Sequence, residues 1–198
     1  MTKYILNSGG LSSDPEKTKA FFKELVSGFG NSPKILLCHF AHPREYWEVN
    51  FESSKTKFKK FMPEGVNPIF TLAMPDTFVD QVKNMDAIYC HGGDDHLVMF
   101  WLKKLHASTV WEGKVVGTNS ASTNAMAKQF WTCDWRQSFD GLGVLDIKTL
   151  PHFNSDFGKD DPRGPIDWEQ AKLDLANYGD QSLPIYALEE AAYVVINK

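Results

Sequence analysis

The sequence predicts a parallel α/β fold, a three-layer sandwich in which a mostly parallel sheet lies between two layers of helices. Two observations lead to this prediction. Short runs rich in apolar and β-branched residues alternate with longer amphipathic stretches. The short runs are continuously apolar, which is typical of parallel strands covered on both faces. Because 198 residues with 42% hydrophobic composition can bury one substantial core, we expect a single α/β domain over residues 1–198.

The elements follow one another in β-α order as far as the middle of the chain. We expect strands at residues 4–7, 34–40, 68–74, 87–90 and 114–117, and helices at 14–29, 75–85 and 94–105. The first helix is the clearest, since Asp14 can cap it, Pro15 fits its first turn, and Phe21, Phe22 and Leu25 share one apolar face. Beyond residue 120 the alternation breaks up into a polar loop at 154–165 and a closing strand at 192–196.

Composition disfavours several classes of partner. The net charge of −4 and the pI near 5.8 give no overall attraction to nucleic acid or to anionic lipid. No apolar run approaches the roughly 18 residues needed to span a bilayer, and no signal peptide is visible. Three widely spaced cysteines are expected to be free thiols, which favours the cytoplasm. An exposed strand edge would permit a homodimer.

The most informative motif is Gly-Thr-Asn-Ser-Ala-Ser-Thr-Asn at residues 117–124, directly after the apolar run 114–116. A strand that delivers one serine into a sharp turn before a helix is how several α/β hydrolases expose a nucleophile. The motif departs from that pattern because Thr118 and Ser122 occupy positions where such turns usually carry glycine. The alternative reading of Ser120 is a helix N-cap.

A base and an acid for Ser120 are available downstream. His152 is the best candidate for the base, since an imidazole titrates near neutrality. Asp134 lies between the serine and the histidine and would orient the imidazole, giving the order serine, acid, histidine. Asp140 and Asp146 compete for the same role, and spacing alone does not choose among the three.

The glycine pair Gly92-Gly93 follows one expected strand and precedes a helix. Its amides could stabilise an oxyanion together with the amide of Ala121, or the pair could be a tight turn. The nearby cluster of histidines and aspartates at residues 91–96 has no recognised metal-ligand spacing, so we expect no metal site. His39 and His42 should lie near the same rim, where a structural role is the simpler expectation.

The segments Gly92-Gly93-Asp94, 120–124 and 151–153 together resemble the dipeptidase E and cyanophycinase family of serine peptidases, in order and over nearly the whole chain. The resemblance implies a flavodoxin-like, class I glutamine-amidotransferase-like fold and no metal or organic cofactor. It implies hydrolysis of small peptides, with an N-terminal aspartate in the dipeptidase branch, through an acyl-enzyme. The resemblance implies Ser120 as the nucleophile, His152 as the base and Asp134 as the orienting acid. It also implies oxyanion donors at Gly92 or Gly93 together with Ala121, and substrate contacts at Asn124 and Asp94.

Departures from the family pattern keep a second function open. The family usually has glycine where this chain has Ser122 and His91, and a smaller or apolar residue where it has Asn119. A catalytically silent relative that binds a small ligand or a partner at the same site is therefore the alternative. A glutamine amidotransferase is disfavoured because that chemistry uses cysteine in the turn, and a nucleotide binder because a Gly-rich phosphate loop is missing. For a substrate carboxylate the candidate partners are Arg44, Arg136 and Arg163.

Overall fold

The computed structural model describes all residues from Met1 to Lys198, and its larger sheet has six strands. These are β1 (Lys3–Asn7), β2 (Lys34–Cys38), β3 (Ile69–Leu72), β4 (Ala87–Cys90), β5 (Val115–Asn119) and β10 (Tyr193–Asn197). The strand order is β10-β1-β5-β4-β2-β3, and only β10 runs antiparallel to its neighbour. The mostly parallel sheet and all six strands expected from the sequence are confirmed.

Helices cover both faces of this sheet, which confirms the predicted α/β sandwich. They are α1 (Pro15–Leu25), α2 (Trp47–Lys59), α3 (Phe78–Lys83), α4 (Asp95–Lys104), α5 (Ala107–Val110), α6 (Ala121–Met126) and α7 (Trp168–Asn177). Neighbouring strand residues point to opposite faces. Ile5 packs with Phe22 of α1 and Phe58 of α2, whereas Leu6 belongs to the core that contains Leu102 of α4. No helix is both long and apolar enough to cross a membrane.

The first helix begins as the sequence predicts and ends earlier. Asp14 accepts hydrogen bonds from the amides of Glu16 and Lys17, and Pro15 is the first helical residue. The helix stops at Leu25 rather than near residue 29, because Gly28 adopts a positive φ of 88° that directs the chain toward β2.

A second sheet of four strands was not expected from the sequence. It contains β6 (Ala127–Thr132), β7 (Gln137–Asp140), β8 (Leu145–Leu150) and β9 (Ile185–Ala187), in the order β7-β6-β8-β9. The sequence of β8 in particular does not resemble a buried strand, because it contains a lysine, Lys148, that is fully buried in the structure. Its amino group donates to the carbonyls of Leu175 and Ala176, which end α7, and to that of Tyr178. Cations are favourable at helix C-termini, so this lysine joins α7 to the sheet.

The carboxyl ends of the parallel strands lie along one edge, where sites form in open α/β sheets. β5 is followed there by Ser120 and β4 by the segment 91–93. In the second sheet, β8 and β9 are parallel neighbours, so the residues after each also meet at one edge. The two edges come together, because the amide of His152 after β8 donates to Ser8 after β1.

Candidate active site

Ser120 occupies a sharp turn between β5 and α6. Its φ of 49° and ψ of −113° are unusual for a residue with a side chain and cost about 1–3 kcal/mol. The turn is held from β1, because the Asn7 carbonyl accepts hydrogen bonds from the Ser120 amide at 3.0 Å and from the Thr123 hydroxyl at 2.7 Å. The Ser120 carbonyl in turn accepts from the amides of Thr123 and Asn124 at the start of α6. The serine is therefore presented without the glycines that such turns usually carry.

The imidazole of His152 reaches this serine from the second sheet. Nε2 lies 2.8 Å from the Ser120 Oγ. His152 has a positive φ of 62°, which is uncommon for a residue with a side chain and indicates that surrounding contacts hold it in place. That position is secured through Ser8, whose hydroxyl accepts the His152 amide at 2.7 Å and donates to the Leu188 carbonyl at 2.9 Å. Ser8 thus ties β1 to the segments after β8 and β9.

Glu190 is the acid beside the imidazole. Its Oε1 lies 2.8 Å from Nδ1 of His152, and this hydrogen bond is the main reason that the pKa of the Glu190 carboxyl is lowered. An ionised carboxylate at Nδ1 keeps the proton there and leaves the lone pair of Nε2 facing Ser120. Gly9 and Gly10 pack against this pair, and a β-carbon at Gly9 would lie 2.9 Å from Nε2.

The orienting acid expected from chain order was Asp134, and this expectation requires correction. Asp134 lies in the turn between β6 and β7, is exposed, and makes no hydrogen bond or ion pair with His152. The competing candidates do not contact the imidazole either, since Asp140 ends β7 and Asp146 is an exposed residue of β8. The observed order along the chain is serine, histidine, acid.

A signal for Glu190 was present in the sequence. The pair Glu189-Glu190 follows a short β-branched and aromatic run that forms β9. Because β9 lies beside β8 in parallel, the residue after it can reach the residue after β8. Without knowledge of the second sheet this adjacency is invisible, and an acid between serine and histidine is the simpler choice.

Three residues whose backbone amides have no acceptor line the cavity beside Ser120. The amides of Gly92 and Gly93 donate to no acceptor in the chain. Ala121 is the first residue of α6, where a helical N–H has no partner within the helix. A β-carbon at Gly92 would lie 3.0 Å from the Ser120 Cβ, so a side chain would close the gap between the amides and the serine. The arrangement can bind an oxyanion beside Ser120.

The two expected substrate contacts have different positions. Asn124 lines the cavity, and its side chain donates to Asp95 at 3.0 Å and accepts from Thr149 at 3.0 Å. Asp94 does not line the cavity. Its carboxylate caps α4 by accepting the Leu97 amide at 2.7 Å, so the structure gives it a role in the helix instead.

The cavity beside Ser120 has a volume of about 350 Å³. Its lining includes two carboxylates that do not contact His152, those of Asp95 and Asp134. Asp95 is buried and accepts from Asn124 and from Thr132, whose hydroxyl lies 2.6 Å away. Burial raises the pKa of the Asp95 carboxyl, and the neighbouring carboxylate of Asp134 raises it further.

The three arginines considered for a substrate carboxylate lie outside this cavity. Arg44 pairs with Glu48 at 2.7 Å. The guanidinium of Arg136 donates to the backbone carbonyls of residues 163–165. Arg163 pairs with both carboxylate oxygens of Asp161, at 2.9 and 2.6 Å. The cavity therefore offers no arginine to an acidic substrate.

His39 and His42 lie at the expected edge of the sheet, but in a separate polar cavity together with His91 and Lys57. The rings of His39 and His91 stack with centroids 3.9 Å apart. Neither ring nitrogen of His39 has a hydrogen-bond partner, and burial lowers its pKa from 6.5 to about 4. No group of three or more His, Cys, Asp or Glu side chains is arranged to hold a metal ion.

The free energy of unfolding is expected to decrease as the pH is lowered from 7 to 5, because of this histidine cluster. Below pH 6.5 the unfolded chain takes up a proton at His39, whereas the folded chain resists protonation down to about pH 4. Stability is therefore complete above pH 6.5 and decreases through this window, by on the order of 2 kcal/mol for His39 between pH 7 and 5. Urea unfolding of wild type and His39→Gln at both pH values measures it. An equal decrease in the variant would show that His39 does not cause the effect.

Comparisons with known proteins agree with this fold. A structure from Listeria monocytogenes EGD-e, provisionally assigned as a peptidase E, matches with a TM-score of 0.69 at 16% identity, covering 99% of this chain and 94% of that chain. A peptidase from an acI-B1 actinobacterium matches with a TM-score of 0.66 at 20% identity, covering 99% of this chain and 83% of that chain. At these identities the likeness shows the fold alone. None of the curated proteins matches significantly.

The sequence itself identifies the family. The model of peptidase family S51 matches residues 4–198, which include every element from β1 to β10. This confirms the resemblance to peptidase E noted from the glycine pair, the serine turn and the histidine segment. The chain belongs to peptidase family S51.

Proposed function

We propose that the protein is a serine peptidase that hydrolyses small peptides through an acyl-enzyme on Ser120. The observation that carries this proposal is the continuous chain of hydrogen bonds from the Ser120 hydroxyl to His152 and on to Glu190, with both distances 2.8 Å. A nucleophile, a base within hydrogen-bond reach and a group that orients the base are the parts that covalent acyl transfer requires. Family membership supports peptide bonds as the target.

In the first step the Ser120 Oγ attacks the carbonyl carbon of the substrate while Nε2 of His152 takes the hydroxyl proton. Glu190 holds the proton on Nδ1 and stabilises the imidazolium that forms. The carbonyl π electrons move to oxygen, and the resulting oxyanion accepts hydrogen bonds from the unpaired amides of Gly92 or Gly93 and of Ala121.

The intermediate then collapses. The carbonyl re-forms, the C–N bond breaks, and Nε2 gives its proton to the departing amine. Water next attacks the acyl-enzyme with His152 as base. The acid product leaves, and the proton returns to the Ser120 Oγ. Nε2 exchanges a proton with Oγ in the first and last steps, and with the departing amine and the attacking water between them, so one position of the imidazole serves both halves of the reaction.

Ser122, the residue that departs from the family glycine, supports the oxyanion site in this mechanism. Its side chain is buried and donates to the carbonyl of His91 at 2.5 Å. That carbonyl and the Gly92 N–H belong to one planar trans peptide unit and point in opposite directions. The hydrogen bond therefore fixes the direction of the Gly92 amide, and we propose Ser122 as a positioning residue.

Replacing Ser122 by alanine is expected to lower kcat about tenfold with little change in KM, because a less well-aimed amide costs roughly 1 kcal/mol in the transition state. Steady-state kinetics measure both constants. Ser54→Ala removes a buried serine on α2 and is the matched control. A changed KM with an unaltered kcat in Ser122→Ala would contradict the positioning role.

The silent-relative alternative was motivated by crowding of the turn at Thr118, Asn119 and Ser122. Ser122 points to the His91 carbonyl and does not line the cavity. The Thr118 hydroxyl lies 2.7 Å from that of Thr123 and is also buried. Asn119 lines the cavity, but Ser120 keeps its contact with His152. No observation therefore favours a catalytically silent protein over an active peptidase.

Hydrolysis of a panel of unblocked dipeptides, followed by chromatography and mass spectrometry, tests the proposed function. The wild-type protein is expected to release both amino acids from at least one member of the panel. A folded protein that leaves every dipeptide intact, and that does not react with a fluorophosphonate, would contradict it.

A further inference from the structure

The cavity beside Ser120 is lined by acidic side chains and contains no lysine or arginine. Apart from His152 and Cys133, the ionisable side chains in its lining are those of two acidic residues, Asp95 and Asp134. We propose that this cavity selects peptides whose acyl residue, the one that bonds to Ser120, has a basic side chain such as lysine or arginine. The inference rests on the proposed function and names the substrate class of that site. It replaces the expectation of an N-terminal aspartate, which the sequence resemblance implies.

Asp95 supplies the deeper of the two carboxylates. It is 5% exposed, and each of its oxygens accepts one hydrogen bond, from Asn124 at 3.0 Å and from Thr132 at 2.6 Å. A carboxylate oxygen can accept two such bonds, so both oxygens retain capacity for an ammonium or guanidinium group. Burial and the neighbouring Asp134 and Asp94 raise the pKa of Asp95, which means that a bound cation would relieve an unfavourable environment.

Asp134 supplies the second carboxylate at the mouth of the cavity. It is exposed, and its side chain has no hydrogen bond or ion pair. The nearest cation, Arg163, donates to the backbone carbonyl of Asp134, while its guanidinium is paired with Asp161. Arg136 also pairs with Asp161 at 3.9 Å and donates to the backbone carbonyls of residues 163–165. The free carboxylate of Asp134 is thus open to a cation from the substrate.

Two residues of the same lining carry a buried polar atom that has no partner. The indole Nε1 of Trp131, a residue only 3% exposed, has no acceptor, and the Asn119 Oδ1 has no donor. Both residues line the cavity. Buried polar groups are normally paired, and each of these atoms is almost fully covered, so a substrate would pair with them only where its binding shifts the lining. The exposed ring of Phe157 can pack against the aliphatic stem of a long basic side chain.

The size of the cavity also favours a long side chain over a short acid. At about 350 Å³ it leaves room beyond the reacting carbonyl for a side chain with four or more carbons. An aspartyl side chain would bring a third negative charge to a lining that has no positive partner for it, and like charges in a partly desolvated site repel. The same two carboxylates that attract lysine therefore disfavour aspartate.

The test compares four 4-nitroanilides with identical free α-amino groups and different side chains: lysine, Nε-acetyl-lysine, norleucine and aspartate. The expected order in kcat/KM is lysine first, by about tenfold over the two neutral side chains, with aspartate last. The α-ammonium is constant in all four. Nε-acetyl-lysine removes the side-chain charge with added length, and norleucine removes it with slightly reduced length, so the two neutral side chains together separate charge from size. Equal rates for lysine and Nε-acetyl-lysine, or aspartate as the best substrate, would overturn the inference.

Two variants locate the effect. Asp134→Asn is expected to reduce the ratio of lysine to Nε-acetyl-lysine by about threefold or more, since one of the two carboxylates is lost. Asp146→Asn, which removes an exposed carboxylate on β8 outside the cavity, is expected to keep the wild-type ratio. An unchanged ratio in Asp134→Asn would overturn the role of that residue.

Labelling with a fluorophosphonate separates the two proposals, because its reaction with Ser120 does not depend on an acyl side chain. Labelled enzyme that shows no preference for lysine contradicts the charge selection and leaves the peptidase proposal standing. Unlabelled, folded enzyme that cleaves none of the four substrates contradicts the proposed function and the charge selection together.

Discussion

Ser120→Ala is expected to reduce kcat/KM by about 10⁴-fold or more, because the hydroxyl is the only group in contact with His152 Nε2 that can bond to the substrate carbonyl. Binding of substrate should persist, since the carboxylates and the unpaired amides of the cavity remain. The measurement is single-turnover hydrolysis of the best substrate, with circular dichroism to establish that the fold is kept. Turnover within tenfold of wild type in a folded Ser120→Ala protein would contradict a serine nucleophile.

A companion variant, Ser120→Gly, separates catalysis from backbone strain. It also lacks the nucleophile, yet glycine tolerates φ 49° and ψ −113° better than any residue with a side chain. We therefore expect Ser120→Gly to be as inactive as Ser120→Ala and about 1 kcal/mol more stable than it in urea unfolding. Equal stabilities would show that the turn is less strained than its dihedral angles indicate.

Glu190→Gln is expected to reduce kcat by about 10³- to 10⁴-fold, because an amide presents no fixed negative charge to Nδ1 and permits the wrong imidazole tautomer. The loss should appear in the acylation rate, with KM changed little. Rapid-mixing kinetics on a chromogenic substrate measure the acylation step directly.

Two controls decide whether Glu190 has this role. Glu189→Gln changes the adjacent, exposed glutamate, whose side chain makes no hydrogen bond or ion pair, and is expected to act as wild type. Asp134→Asn changes the acid expected from chain order and should lower acylation by a neutral substrate far less than Glu190→Gln does. If Asp134→Asn has the larger effect on that substrate, Glu190 is not the orienting acid.

Most of the larger sheet could be predicted from the sequence because its central strands β2 and β4 are almost entirely buried and apolar. β4 was located to the residue, and the start of α1 followed from Asp14 and Pro15. The second sheet escaped prediction for a physical reason. Its strands contain polar residues that are satisfied only in the folded state, as Lys148 is by the carbonyls at the end of α7.

The site was predicted in part, to the extent that it depends on strand ends. Ser120 and the glycine pair follow strands of the larger sheet, whose edge can be inferred, whereas His152 was chosen for the chemistry of its imidazole; the structure brings all of them together. Glu190 follows β9, and Ser8 reaches His152 from β1 across 144 positions of sequence. These contacts depend on how the two sheets pack against each other, and no local sequence pattern predicts that packing.

Several expectations stay predictions. They are the organisation of residues 1–198 as one domain, a cytoplasmic location, the lack of a nucleic-acid partner, and the capacity to form a homodimer. Limited proteolysis tests the first, because a single cooperative domain should resist cleavage between the two sheets. Light scattering at several concentrations tests the last.

The most direct measurement for the whole account is the intact mass of the protein after treatment with a fluorophosphonate. The account predicts one adduct on the wild-type chain, mapped to Ser120, none on Ser120→Ala, and strongly slowed labelling of His152→Ala. A folded wild-type protein that gains no mass, or an equal adduct on Ser120→Ala, would contradict an activated serine held by His152 and Glu190.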